Sequence, residues 1–188
     1  TNSLLDINVF GRRAGINAAE YTEHAELKDL PAEPEQAVVS MVEGLRTATG
    51  HERVAQIRAE LQTTMDQNAG VYRNDETLAQ AEKDVKELQR RYRDVAVQDK
   101  GKRFNTDLLE AVELGFLLDL AEILVLGARN RTESRGAQAR EDYPTRDDVN
   151  WQKHTMAYRE GDDKGGYKIR LDYKPVIVTR YQPTERKY

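Results

Sequence analysis

The 188-residue sequence predicts a mainly α fold: an antiparallel helical bundle of three to four helices, followed by a small β-hairpin and an extended C-terminal segment. Three observations carry that expectation. Residues 105–130 form one long apolar run with a helix start at its head. The stretches before it repeat apolar residues at helical spacing between glycine and proline breaks. Two short alternating stretches after it are joined by a Gly-rich loop.

Taken in order, residues 1–26 read as a helix. Ser3 stands as N-cap, with Asp6 in the capping-box position three residues on. Leu4, Leu5, Val9 and Phe10 are apolar, and Gly11 and Gly15 lie four apart, where missing side chains allow another backbone to approach. A Pro-bounded linker covers 32–35. The second helix starts with Pro34 near its first position, carries Val38, Met41, Val42 and Leu45, and ends by Gly50. The third, over 52–67, repeats Val54, Ile57, Leu61 and Met65 until Gly70 stops it. The fourth begins at Asn74 or Asp75 and sets Leu78, Ala81, Val85, Leu88, Tyr92 and Val95 three and four apart, a narrow heptad seam.

Lys100, Gly101 and Lys102 turn the chain into the central helix, with Asn105 or Thr106 as N-cap and Asp107 and Glu110 in the first turn, where carboxylates suit the helix dipole. Its apolar residues surround the helix, which predicts burial on most sides. Glu110, Glu113, Asp119 and Glu122 interrupt it, and four carboxylates argue against a membrane span. After residue 130 the helical period stops. Arginines 129, 131, 135, 140 and 146 interleave with Glu133, Glu141, Asp142, Asp147 and Asp148, and Tyr143, Pro144 and Trp151 are mixed in. An aromatic among alternating charges predicts an ordered segment with Trp151 as its anchor. Strands are expected over 154–159 and 167–173, with a loop at 160–166. Tyr167, Ile169, Leu171 and Tyr173 share one face of the second strand. Pro175 and residues 176–178 then form an edge strand or an extended tail.

Composition narrows the function. Charged residues make 33% of the chain against 38% hydrophobic, and the net charge of −4 offers no basic excess for nucleic acid. There is no cysteine, which excludes disulfides and thiolate metal sites. No signal peptide is visible, and the start at Thr1, without methionine and close to a helix, reads as a piece of a longer protein. Phosphate-loop, GxGxxG and GxSxG patterns are absent. His24, His51 and His154 fall on separate elements without ligand spacing, and Arg140 and Arg146 compete with any cation for Asp142, Asp147 and Asp148. No metal ligand and no catalytic residue is assigned.

Two stretches carry a family resemblance. The opening TNSLLD followed by Phe10, Gly11 and Arg12, and the run TESRGAQAREDYPTRDDVNWQKHT over 132–155, resemble the NSLLD…FGR and ESRGAHxREDYPxRDDxNWxKHT segments of succinate dehydrogenase and fumarate reductase flavoprotein subunits. The ending, residues 180–188, is similar to the C-terminus of bacterial members. Gln138 stands where that family usually has histidine. The resemblance implies the C-terminal portion of an FAD-dependent flavoprotein subunit that oxidises succinate to fumarate. Its partners would be an iron–sulfur subunit, membrane anchor subunits and a dicarboxylate substrate. It would lie at the cytoplasmic face of the bacterial inner membrane, held there by those partners.

The family's catalytic residues and dinucleotide fingerprint would precede Thr1, so FAD would be bound mainly outside this chain. Ser3 and Leu4 are the cofactor-binding residues the resemblance implies. A helix starting at Ser3 independently offers unpaired N–H groups and a positive dipole end, which favour negative charge. The implied organisation is 1–31 as the end of the flavin-binding domain, 32–130 as the helical bundle, and 131–188 as the arginine-rich segment, hairpin and tail. The arginine-rich segment is read as a structural clamp. Fumarate reductase, or a free-standing helical interaction domain, are the alternatives.

Overall fold

The computed structural model describes residues 3–161 and 166–184. Thr1 and Asn2 of the opening motif, the middle of the 160–166 loop and the last four residues of the C-terminal motif lie outside the described residues. The chain forms two units, 1–39 and 40–188.

The first unit holds α1 (Ser3–His24) and the start of α2 (Gln36–Thr47). No side chain of α1 is buried. Ser3 is already helical, the first residue of α1, and not the flanking residue expected of a cap. Asp6 does lie in the first turn. Gly11 and Gly15 have open space where a Cβ would sit, so no described backbone crosses them. Leu4, Leu5, Ile7, Val9 and Phe10 are all exposed.

The second unit is built on α3 (Val54–Asn68), α4 (Asp75–Tyr92) and α5 (Thr106–Asn130). Each presents a narrow seam: Val54, Ile57 and Leu61 on α3, Leu78, Ala81, Val85 and Leu88 on α4, and Ala111, Leu114, Leu118, Ala121, Val125 and Ala128 on α5. Spacings of three and four keep one side of each helix toward the common core, which Ala69, Val95 and Val97 close. Burying one Leu or Ile contributes roughly 1.5–3 kcal/mol, so these seams supply the unit's own core. Leu45 of α2 packs against it, half-buried.

Two tiny parallel ladders settle the helix directions. β1 (Glu52–Arg53), just before α3, pairs with β3 (Val95–Ala96), just after α4. β2 (Tyr72–Arg73), between α3 and α4, pairs with β4 (Ala139–Arg140), beyond the end of α5. The start of α3 therefore lies beside the end of α4, and the end of α5 beside the start of α4: an up–down–up bundle. Side chains repeat the arrangement, since Tyr92 Oη donates to the Ala111 carbonyl at 2.7 Å and Arg129 pairs with Asp75 at 3.0 Å.

The caps follow the sequence. Asn74 caps α4 in a reciprocal box with Thr77, and Asn105 caps α5 by accepting from the Leu108 amide at 2.8 Å. Gly50 sits against the Asp94 backbone, where a Cβ would come within 1.9 Å of the carbonyl oxygen. The central helix differs from expectation. Its seam is buried, but Leu109, Phe116, Leu117, Leu120 and Leu124 are exposed along one face. Within the second unit, α3 and α4 cover one side of α5, and these leucines point away from it.

The C-terminal part carries α6 (Asp148–Trp151) and an antiparallel hairpin of β5 (Lys153–Gly161) and β6 (Tyr167–Pro175). Tyr167, Ile169 and Leu171 are half-buried while Lys168, Arg170 and Asp172 are exposed, the alternation expected, but Tyr173, expected on the packed face, is exposed where its ring meets that of Trp151 edge-on. Residues 176–179 form no strand and run on as an extended tail. Among the described residues no helix is long and apolar enough to cross a membrane.

Candidate functional site

The densest polar structure in the chain is the arginine-rich segment that follows α5. Its centre is Glu133, with 0% of its surface exposed. Glu133 accepts from Arg131 Nη1 at 2.6 Å, from Arg135 Nε and Nη2 at 2.8 and 3.0 Å, and from the Asp147 amide at 2.9 Å. Burial alone would raise its pKa, but these donors outweigh burial and hold it below the ordinary glutamate value. Asp147 in turn caps α6 through the Val149 and Asn150 amides, and Asp148 pairs with Arg135 at 2.6 Å and Arg146 at 2.9 Å.

Arg140, 1% exposed, is the second centre. Its Nη1 donates to the carbonyls of Ala128, Arg129 and Arg131 at 3.1, 2.9 and 3.3 Å. A helix leaves its last carbonyls without partners, and a cation suits the negative end of the dipole, so Arg140 terminates α5. Its other face forks onto Asp142 at 2.8 and 2.7 Å, which holds the Asp142 carboxyl at about 2. Asp142 also accepts from the Asp75 amide at 2.9 Å, and Glu141 from Asn74 Nδ2 at 3.2 Å. The segment thus joins the end of α5 to the start of α4.

Trp151 anchors this network as expected. Its Nε1 donates to Thr132 Oγ1 at 3.0 Å, its ring meets Tyr173 edge-on at 5.8 Å, and Arg131 and Lys153 lie over its face at 5.1 and 4.8 Å. Gln138 bridges two elements: its Nε2 donates to the Ala128 carbonyl at 3.0 Å, and its Oε1 accepts from Arg73 Nη1 at 2.6 Å. That use of one donor and one acceptor is also within reach of a neutral imidazole. Arg73 and the two-residue ladders went unread in the sequence. The signal for them was slight, a Tyr-Arg pair between a helix stop and the next cap.

Chemically this network holds structure together. Glu133, Asp142, Asp147 and Asp148 are all held ionised by their partners, so none is poised to exchange a proton near neutral pH. His24 in α1, His51 just before β1 and His154 in β5 remain separate in the chain, and exposed His51 meets Asp94 at 3.2 Å. Among the described residues no group of three His, Cys, Asp or Glu could hold a metal ion. Ser3 and Leu4 belong to the first unit, at the start of α1, where both are exposed.

The second unit is thus a helical bundle closed by a buried Glu–Arg clamp, with one apolar face of its long helix α5 left uncovered within the unit. The chain belongs to the family described as fumarate reductase flavoprotein C-term, whose model matches residues 58–188. It is 43% identical over 180 residues to the succinate dehydrogenase flavoprotein subunit of Rickettsia bellii, covering 95% of this chain and 30% of that protein. It is 40% identical over 190 residues to the fumarate reductase flavoprotein subunit of Haemophilus influenzae, covering 100% of this chain and 31% of that protein. A solved E. coli quinol fumarate reductase FrdA superposes with a TM-score of 0.83 at 38% identity, over 94% of this chain and 30% of that one. The chain thus spans about a third of the length of the relatives it matches.

Proposed function

We propose that the chain is the C-terminal part of the FAD-dependent flavoprotein subunit of a succinate dehydrogenase, in which succinate is oxidised to fumarate and electrons pass to an iron–sulfur subunit and quinone. The observation that carries this reading is the match of nearly the whole chain to subunits of that name. Fumarate reductase is the second reading, favoured by the Haemophilus influenzae relative at 40% identity. In either case residues 1–31 would close the flavin-binding domain, 32–130 form the helical domain and 131–188 clamp it. The subunit would lie at the cytoplasmic face of the inner membrane, held through its partner subunits.

The residues at the start of α1 fit one edge of a flavin. A 22-residue helix presents its positive dipole end there, Ser3 supplies a hydroxyl and Leu4 an exposed apolar side chain. Bound FAD supplies the two-electron redox chemistry. Ser3 and Leu4 would orient the ring and favour negative charge on it, and the clamp would hold the bundle in place. In the full-length subunit, Ser3→Ala removes one hydrogen bond, worth about 0.5–1.5 kcal/mol, from the reduced, anionic side. The two-electron midpoint potential is then expected to fall by roughly 10–30 mV, since 30 mV corresponds to about 1.4 kcal/mol. Spectroelectrochemical titration at one pH measures it. An unmoved or raised potential removes Ser3 from the flavin site, and a full-length subunit that neither holds FAD nor oxidises succinate with an artificial acceptor overturns the reading as a whole.

A further inference from the structure

Arg73 breaks the pattern of the other arginines. Every other half-buried or buried arginine among the described residues faces a carboxylate. Half-buried Arg73 meets only neutral acceptors among the described residues: its Nε donates to the Gly70 carbonyl at 2.6 Å and its Nη1 to Gln138 Oε1 at 2.6 Å. Desolvation lowers its pKa, with no carboxylate in place to offset that effect. A cation withdrawn from water without a counter-charge is costly, and an arginine fork matches a carboxylate in shape.

Arg73 lines a cavity of about 330 Å³ between the C-terminal turns of α5 and the hairpin. Ile123, Leu124, Ala157 and Leu171 supply its apolar walls, and among the described residues no carboxylate lines it. Arg131, also at the wall, is occupied by Glu133 and by the Trp151 and Lys153 carbonyls. Gln138 is tied at its other end to the Ala128 carbonyl, so its oxygen aims Arg73. Leu120 and Leu124, exposed on α5 one turn apart, continue the apolar wall outward.

We propose that this cavity is a binding site for a carboxylate on a short apolar stem, with Arg73 as the anion-binding residue, Gln138 as its positioning residue, and Leu124 and Leu171 against the stem. The same chemistry has two sources: a free small aliphatic carboxylate, or a glutamate or aspartate side chain from polypeptide that covers this face.

The test titrates butyrate into the 188-residue chain at constant ionic strength and follows the Arg73 Nε resonance by 15N NMR. Neutral butyramide and chloride serve as controls. Butyrate is expected to saturate a millimolar site and shift that resonance, while the controls do not. In calorimetry, Arg73→Gln should weaken butyrate binding by at least about tenfold, the loss expected for one charge-assisted pair. Ala157→Phe fills the cavity from the exposed hairpin without touching the Arg73 hydrogen bonds, and should also weaken binding while the melting temperature stays put. Equal responses to butyrate and the controls, or binding unchanged by Ala157→Phe, overturn the site. In a longer chain carrying the relatives' additional length, continued butyrate binding identifies a site for free carboxylates. Exclusion of butyrate, with the Arg73 resonance already at its butyrate-bound position, identifies a polypeptide carboxylate. Exclusion with that resonance unshifted overturns the proposal.

Discussion

Replacing Glu133 by glutamine isolates the charge at the centre of the clamp with little change of shape. In the native chain Oε1 accepts from Arg131 Nη1 and Arg135 Nε, and Oε2 from Arg135 Nη2 and the Asp147 amide. A glutamine keeps one acceptor and turns the other oxygen into a donor. In either orientation two of the four N–H groups lose their acceptor and face an NH₂. Hydrogen bonds to charged groups are worth about 1.5–3 kcal/mol each, and breaking a buried ion pair costs about 3–5. The arginines are only partly withdrawn from water, and both keep other partners: Arg131 the Trp151 and Lys153 carbonyls, Arg135 the Asp148 carboxylate.

The lower end of that range, about 3 kcal/mol, is therefore expected. At roughly 2–4 °C per kcal/mol for a unit of this size, the melting temperature should fall by about 6–12 °C. Thermal and urea unfolding followed by far-UV circular dichroism measure it. The sign with pH is fixed by the lowered pKa of Glu133. Its contribution is present above the unfolded glutamate value of about 4.3 and is lost as pH falls through the lower folded value. The gap between wild type and Glu133→Gln should be constant from about pH 6 to 8 and close in acid. A fall of less than about 2 °C at pH 7 would mean that the arginines find water as readily as the carboxylate, and the clamp reasoning would fail.

The remaining expectations concern neighbouring parts of the same frame. Trp151→Ala should cost about 2–3 kcal/mol, below the range for a fully buried Trp because this one is half-buried, and the melting temperature checks it. Gly50→Ala should cost about 1–3 kcal/mol, because the added Cβ meets the Asp94 carbonyl and the β1–β3 ladder must shift; urea midpoints decide, and an unchanged midpoint refutes the close approach. Asp142→Asn should cost roughly 1–2 kcal/mol at pH 7 after allowance for its partial exposure. The native contribution is present above the unfolded aspartate value of about 3.9 and is lost as pH falls through about 2, so wild type and variant should converge in strong acid.

Local pattern settled a large part of this protein. The heptad seams of α3 and α4, the Asn74 and Asn105 caps, the alternation of β6 and the anchoring role of Trp151 all follow from residues close in sequence, because backbone periodicity and capping act over a few residues. The 132–155 run likewise carried the family relationship, later matched by the family model over 58–188.

Tertiary structure decided the rest. Periodicity placed apolar residues all round α5 but could not say which side its neighbours cover; within the second unit one face is seamed against α3 and α4, while Phe116, Leu120 and Leu124 remain outside. Ser3 read as the cap flanking the first helix and is the first residue of α1, since a boundary depends on the backbone on both sides of it. The pairing of Arg73 with Gln138, the seating of Arg140 on the end of α5 and the two-residue ladders join positions from 9 to 67 residues apart. A charge in a sequence can name its partner only once folding has brought the two together and removed the water between them, and that is what distinguished the satisfied arginines of the clamp from Arg73.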